Sequence, residues 1–239
     1  MANFSTHLAI GTVVSGATAA ACSSGGLVTA NQAISGFLIG TIGSLLPDLD
    51  SDNSTIVKLV FSLFGIVAAI AFSVKYFTRY SIVELLLIWT FIYYLFTMGV
   101  GWLFKSRTRH RGLFHSIPAM LLFGFLTAIL FHKGLKSGPV VALVYGLFMM
   151  VGYVTHLALD EVFSVDLANA AIKSSFGSAI KLFDTKNWIG TILIWLLVLV
   201  SAAALPNPQL LWLKMKQNQT VSKIKQDLLP RGKRWLMPR

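Results

Sequence analysis

Long apolar runs broken by short polar knots set the pattern of this chain. Residues 7–23, 30–46, 56–74, 81–104, 113–132, 140–163 and 188–205 are mainly apolar. Each approaches the roughly 20 residues that a helix needs to cross a bilayer. The pattern predicts an all-α, multi-pass transmembrane bundle of about seven crossings. Gly, Ala, Ser and Thr crowd the first two runs, and Gly36, Gly40 and Gly43 repeat along one face. Small residues let membrane helices approach closely, so these two runs are read as inner helices. Pro47 ends the second run, and Asn53, Ser54 or Thr55 is placed to cap the next. Pro118 falls in the first turn of the fifth, where a missing N–H costs nothing. Residues 164–187, with Lys173, Lys181 and Lys186, read as an interfacial amphipathic piece. Two parts are expected: an embedded domain over 1–205 and a basic C-terminal tail over 206–239, polar and partly disordered from 214. No strand pattern and no repeat is seen.

Composition supports the membrane reading. Only 12% of residues are charged, against about 25% in an ordinary soluble domain. The formal net charge of +11 would suggest nucleic acid in a soluble protein. Here the basic residues gather at segment ends and in residues 214–239. That is the pattern of topology signals and of attraction to anionic lipid headgroups, so a nucleic-acid partner is not expected. Cys22 is the only cysteine, which excludes a disulfide framework and a cysteine-based zinc site.

The polar knots carry the candidate chemistry. Residues 109–116 read Arg-His-Arg-Gly-Leu-Phe-His-Ser at the mouth of the fifth run, placing His110, Arg111 and His115 where a membrane segment begins. Pro47-Asp48-Leu49-Asp50 closes the second run, and His156-Leu-Ala-Leu-Asp160 lies near the end of the sixth. His156 and Asp160 are four apart, so on a helix both project from one face. His110 and His115 are five apart and would converge only from a turn leading into a helix. Asp48 and Asp50 would face the same way in an extended loop. If the runs alternate across a membrane, the start of the first, the end of the second, the start of the fifth and the end of the sixth share one side. His7, Asp48, Asp50, His110, His115, His156 and Asp160 would then meet, while His132 and Glu84 fall on the other side. Ionisable groups at membrane depth are costly and tend to mark function. Imidazole nitrogen with carboxylate oxygen suits a divalent metal, zinc first, as one ion or two. Such an ion turns water into a nucleophile near neutral pH. Arg111 has the planar fork that grips a phosphoryl or carboxylate group, and any of Asp48, Asp50 and Asp160 left unbound by metal, Asp50 among them, is a candidate general base. The chain has no nucleotide-binding glycine loop and no nucleophile elbow.

Four stretches in order carry a resemblance. They are Thr6-His7-Leu8, Leu45-Leu46-Pro47-Asp48-Leu49-Asp50, His110-Arg111-Gly112-Leu113-Phe114-His115-Ser116, and Gly152-Tyr153-Val154-Thr155-His156-Leu-Ala-Leu-Asp160. The chain resembles the YdjM family of predicted membrane-bound metal-dependent hydrolases, the LexA-regulated type. The resemblance implies His7, Asp48, Asp50, His110, His115, His156 and Asp160 as metal residues, and Arg111 as the arginine between the histidines. Ser51-Asp52 stand where members commonly carry His-Pro, and Phe114 replaces a small polar residue. Phe163 stands where the family has a threonine, with Ser164 beside it.

These readings lead to one expectation and two rivals, one of them a structural or regulatory membrane protein whose His and Asp residues merely join helices. The expectation is an enzyme in the plasma (inner) membrane of a prokaryote, its site facing outward. It would use a metal-activated water on a phosphoester or ester of a lipid or envelope molecule. The basic tail would meet anionic lipids. The other rival is a transporter or metal-handling membrane protein without hydrolysis. Sites of that kind sit near the bilayer midplane, whereas these knots lie at segment ends.

Overall fold

The structure is a computed structural model that describes residues 3–50, 61–62, 65–66, 68–70, 72–73, 76, 79–100, 114–166, 171–172, 180–184 and 187–228. Eight α-helices are described. They are α1 (Phe4–Ser24), α2 (Ala30–Gly43), α3 (Ile82–Tyr94), α4 (Ile117–Ile129), α5 (Pro139–Val162), α6 (Trp188–Ala204), α7 (Gln209–Gln217) and α8 (Thr220–Leu228). The described residues are helical almost throughout. A pair of two-residue strands, Val165–Asp166 with Ala171–Ile172, is the departure from the strand-free expectation. The chain divides into two compact units, 1–47 with 115–239, and 48–114.

In the first unit, α5 is the central helix, packed by α1, α2 and α4. Glycine makes this possible. A Cβ on Gly152 would strike the carbonyl oxygen of Gly40, and one on Gly43 would come within 2.5 Å of the Met149 carbonyl oxygen. A Cβ on Gly36 would press into the Phe148 ring at 2.5 Å. The small-residue face expected on the second run is therefore the α2–α5 contact, made at backbone distance. Gly124 and Gly146 serve α4 and α5 in the same way. Two apolar clusters result. Ala19, Leu27, Val28, Val144, Tyr145 and Phe148 fill one, and Leu46, Ala119, Met149, Tyr153, Leu157 and Ile194 the other.

Among the described residues, three helical stretches are long and apolar enough to cross a membrane: Ile82–Gly99, Ile117–Gly134 and Pro139–Val162. The pair α6 and α7, bent by 58°, would add a fourth as a single broken span. This differs from the seven expected. At 14 residues, α2 is about 21 Å long, short of the ~30 Å hydrocarbon core. With 21 residues α1 has the length, but its Gly, Ala, Ser and Thr make it too polar to qualify. The third run, 56–74, lies largely outside the described residues.

The second unit is described mainly through α3. Ser81 caps it, with Glu84 returning the bond: the Ser81 N–H donates to Glu84 Oε2 at 2.7 Å. Its end widens into π-type turns over Leu95–Val100. Trp89 Nε1 donates to Ser73 Oγ at 2.8 Å, tying α3 to the preceding segment. Ile82, Val83, Leu86, Leu87 and Phe91 remain exposed.

The expected tail is described as far as Leu228, and residues 229–239 lie outside the described residues. Residues 209–228 are two helices, and they fold back onto the bundle. Thr220 Oγ1 donates to the Gly25 carbonyl at 2.9 Å, and Asn218 Nδ2 to the Gly26 carbonyl at 2.6 Å. Leu211 and Met215 pack against the Ala19–Phe148 cluster.

Candidate metal centre

Four side chains of the first unit meet at one end of the bundle. Asn3 caps α1, accepting from the Thr6 N–H at 2.9 Å. That cap fixes the first turn and sets His7 at the head of a buried stripe that continues through Gly11, Ser15 and Ala19. Ser116 caps α4, accepting from the Ala119 N–H at 3.3 Å, with Pro118 in the first turn. His115 thus stands just ahead of the helix, as the turn into the fifth run suggested. The Ile117 N–H also donates to the Lys181 carbonyl at 3.0 Å, which pins residues 180–184 beside this turn. His156 and Asp160 lie one helical turn apart on the buried face of α5.

The four groups converge on the Asp160 carboxylate. His7 Nε2 is 3.3 Å from Oδ1, His115 Nε2 is 3.5 Å from Oδ2, and His156 Nε2 is 3.7 Å from Oδ2. The rings of His7 and His156 stack at 3.7 Å, 10° from parallel, and His115 meets His156 edge-on at 5.5 Å. All four residues are buried, none more than 1% exposed. His156 is oriented from behind. Its Nδ1 lies 2.7 Å from the Ser44 carbonyl oxygen. A carbonyl can only accept, so Nδ1 carries the proton and Nε2 keeps its lone pair toward Asp160. Gly11 permits this, because a side chain there would collide with Ser44.

Neither Asp160 oxygen has a hydrogen-bond donor in bonding geometry among the described residues. A buried carboxylate in that condition is strongly unfavourable. The residues fit a metal ion. One ligand atom each from His7, His156 and Asp160 lies within 4.8 Å of the others. Two ligand atoms of a tetrahedral zinc, each about 2.0–2.1 Å from the ion, sit roughly 3.3 Å apart, close to the His–Asp separations here. Imidazole nitrogen with carboxylate oxygen is also the donor set zinc takes.

Other expected residues fall as follows. Asp48 and Asp50 lie in a 3-10 turn, Leu46–Asp50, not in an extended loop. The backbone there is therefore coiled, which corrects the extended geometry on which the two were paired. Asp48 opens the second unit, and the side chain of Asp50 lies outside the described residues, as do His110 and Arg111. His132 is in the turn after α4, its Nδ1 3.1 Å from the Ser137 carbonyl oxygen, at the end of the bundle away from the cluster. Ser164 is buried and its hydroxyl donates to the Glu161 carbonyl, closing α5. The Ser44 carbonyl was not foreseen, since any residue could supply it. The placement of Lys181 beside Ser116 also had no local signal.

No curated protein and no solved structure matches the chain. The family model described as YdjM inner membrane protein matches residues 1–207. That span includes every helix that supplies the cluster, and the chain belongs to the YdjM inner membrane protein family.

Proposed function

We propose that this protein is a membrane-bound metal-dependent hydrolase acting on a phosphoester or ester of a lipid or envelope molecule. The observation that carries the reading is the buried Asp160 carboxylate, without a hydrogen-bond donor in bonding geometry among the described residues and facing three imidazole edges. His7, His115, His156 and Asp160 would hold a divalent ion, zinc by its donor set. Such an ion supplies a water of lowered pKa and polarises the ester oxygen. Ser44 keeps the His156 proton on Nδ1, so that Nε2 can ligate. By their sequence positions, Asp48, Asp50 and His110 would supply donors for a second ion, and any of Asp48, Asp50 and Asp160 not bound to metal would act as general base. Arg111 grips the anionic group of the substrate with its planar fork. From the apolar runs of the sequence we read about seven crossings in all. The site faces outward, and the basic tail meets anionic lipid on the other side.

The test is hydrolysis by the detergent-purified, zinc-loaded protein, using phospholipid and undecaprenyl-type phosphoesters and following phosphate or headgroup release. Release that a chelator abolishes, zinc restores, and Asp160→Asn lacks supports the reading. Metal uptake without product from any phosphoester or carboxylic ester would favour a metal-handling protein.

A further inference from the structure

We propose that α7 and α8 form an interfacial collar for an anionic lipid leaflet, and that the collar sets the His/Asp cluster at the opposite leaflet. The substrate would then be a headgroup ester presented in the leaflet away from the tail. This last step rests on the hydrolase reading; the collar and its sidedness do not.

Four observations carry the proposal. The chain bends by 58° between α6 and α7, after Pro206-Asn207-Pro208, so an apolar helix gives way to one lying across its end. The new direction is fixed, because Asn218 and Thr220 donate to the carbonyls of Gly26 and Gly25 at the close of α1. A side chain on Gly25 would meet Thr220 Cγ2 at 2.5 Å, so the contact is close. The two helices are amphipathic on their outer side as well. Trp212, Leu213, Val221 and Leu228 are exposed beside Lys214, Lys216, Lys223 and Lys225. Lys216 Nζ lies over the Trp212 ring at 5.3 Å. Tryptophan with snorkelling lysine is the pairing that settles at headgroup level.

Depth and charge then place the cluster. Along α1 the step from His7 to Gly25 is about 27 Å, at about 1.5 Å per residue. The hydrocarbon core is ~30 Å thick. With the collar at one headgroup level, His7 reaches the other. If the apolar runs alternate across the membrane, the ends on the tail's side carry twelve Lys and Arg: Lys75, Arg79, Lys133, Lys136 and the eight of residues 214–239. The ends on the cluster's side carry eight: Lys58, Lys105, Arg107, Arg109, Arg111, Lys173, Lys181 and Lys186. An excess of twelve to eight favours the cytoplasmic side for the collar, where anionic lipid attracts lysines near the surface.

Two measurements on the full chain test this, in a Cys22→Ala background. Gln226→Cys and Phe183→Cys, both exposed, are each challenged with a membrane-impermeant maleimide in intact cells and in inverted vesicles. Opposite labelling is expected, Phe183→Cys in cells and Gln226→Cys in inverted vesicles. Labelling of both from one side overturns the opposite-leaflet assignment. For the collar, a spin label at Leu213→Cys or Val221→Cys is read in nanodiscs of phosphatidylcholine with and without phosphatidylglycerol. Lipid-level oxygen accessibility is expected with phosphatidylglycerol. A several-fold shift toward water is expected when Lys214, Lys216, Lys223 and Lys225 are changed to glutamine. Equal water exposure in both lipids, with or without the lysines, overturns the collar. Neither readout depends on metal or on catalysis, so failure of the hydrolase reading would leave both interpretable.

Discussion

The stretches Ile82–Gly99 and Pro139–Val162 are both apolar enough to cross a membrane, yet none of the first is buried and 56% of the second is. Their composition explains the contrast. The first presents Ile82, Val83, Leu86, Leu87 and Phe91 outward, large side chains suited to lipid. The second carries Ala142, Gly146 and Gly152 where neighbouring helices press in, then His156 and Asp160 where the bundle ends. Apolarity says that a helix can enter a membrane. The small and ionisable residues on it say whether it faces lipid or builds a site.

The largest way to break this contrast is at the ionisable residues. Asp160→Ala should cost more than ~100-fold in zinc affinity, since even outer-shell partners are worth 10–100-fold. Equilibrium titration against a chelating dye reads it. Removing bulk comes next. Phe148→Ala, at a ring that is fully buried against Gly36, should destabilise by about 3 kcal/mol. Phe91→Ala, at a ring 67% exposed on α3, should change stability by less than ~0.5 kcal/mol. Unfolding in mixed micelles compares the two. Adding bulk sharpens the same point. Gly152→Ala forces a methyl onto the Gly40 carbonyl and should cost ~1–3 kcal/mol. Among the described residues Gly99→Ala meets only Leu95 Cδ1, at 3.5 Å, and should be near neutral. Equal effects at the two glycines would remove the distinction between them. The smallest change expected is Lys181→Gln. Its pair with Asp184, at 2.9 Å, is partly exposed, so the loss in the same unfolding assay should stay below ~1 kcal/mol.

Much of this was legible in the sequence, for identifiable reasons. The apolar runs at 81–104, 113–132, 140–163 and 188–205 became helices because long apolar segments have no other way to satisfy their backbone in lipid. Gly36, Gly40 and Gly43 announced close packing, and it is found at α5. Alternation across a membrane brought the start of the first run, the start of the fifth and the end of the sixth together, and His7, His115, His156 and Asp160 do converge. What was not legible depends on backbone geometry or on distant contacts. Nothing in Leu46–Asp50 distinguishes an extended loop from a 3-10 turn. The Ser44 carbonyl is invisible to residue type. The docking of residues 209–228 rests on hydrogen bonds to Gly25 and Gly26, almost the whole chain away, and a basic, polar composition gives no hint of them.

The most direct test of the central claim is the metal content of the detergent-purified protein, by elemental mass spectrometry, beside a His156→Ala/Asp160→Ala variant checked for folding by circular dichroism. About one zinc per chain, or two if the aspartate turn binds its own, is expected in the wild type and none in the folded variant. A wild-type protein that is folded, carries no metal and takes up none when zinc is added would contradict the account, leaving His7, His115, His156 and Asp160 as a polar joint between helices.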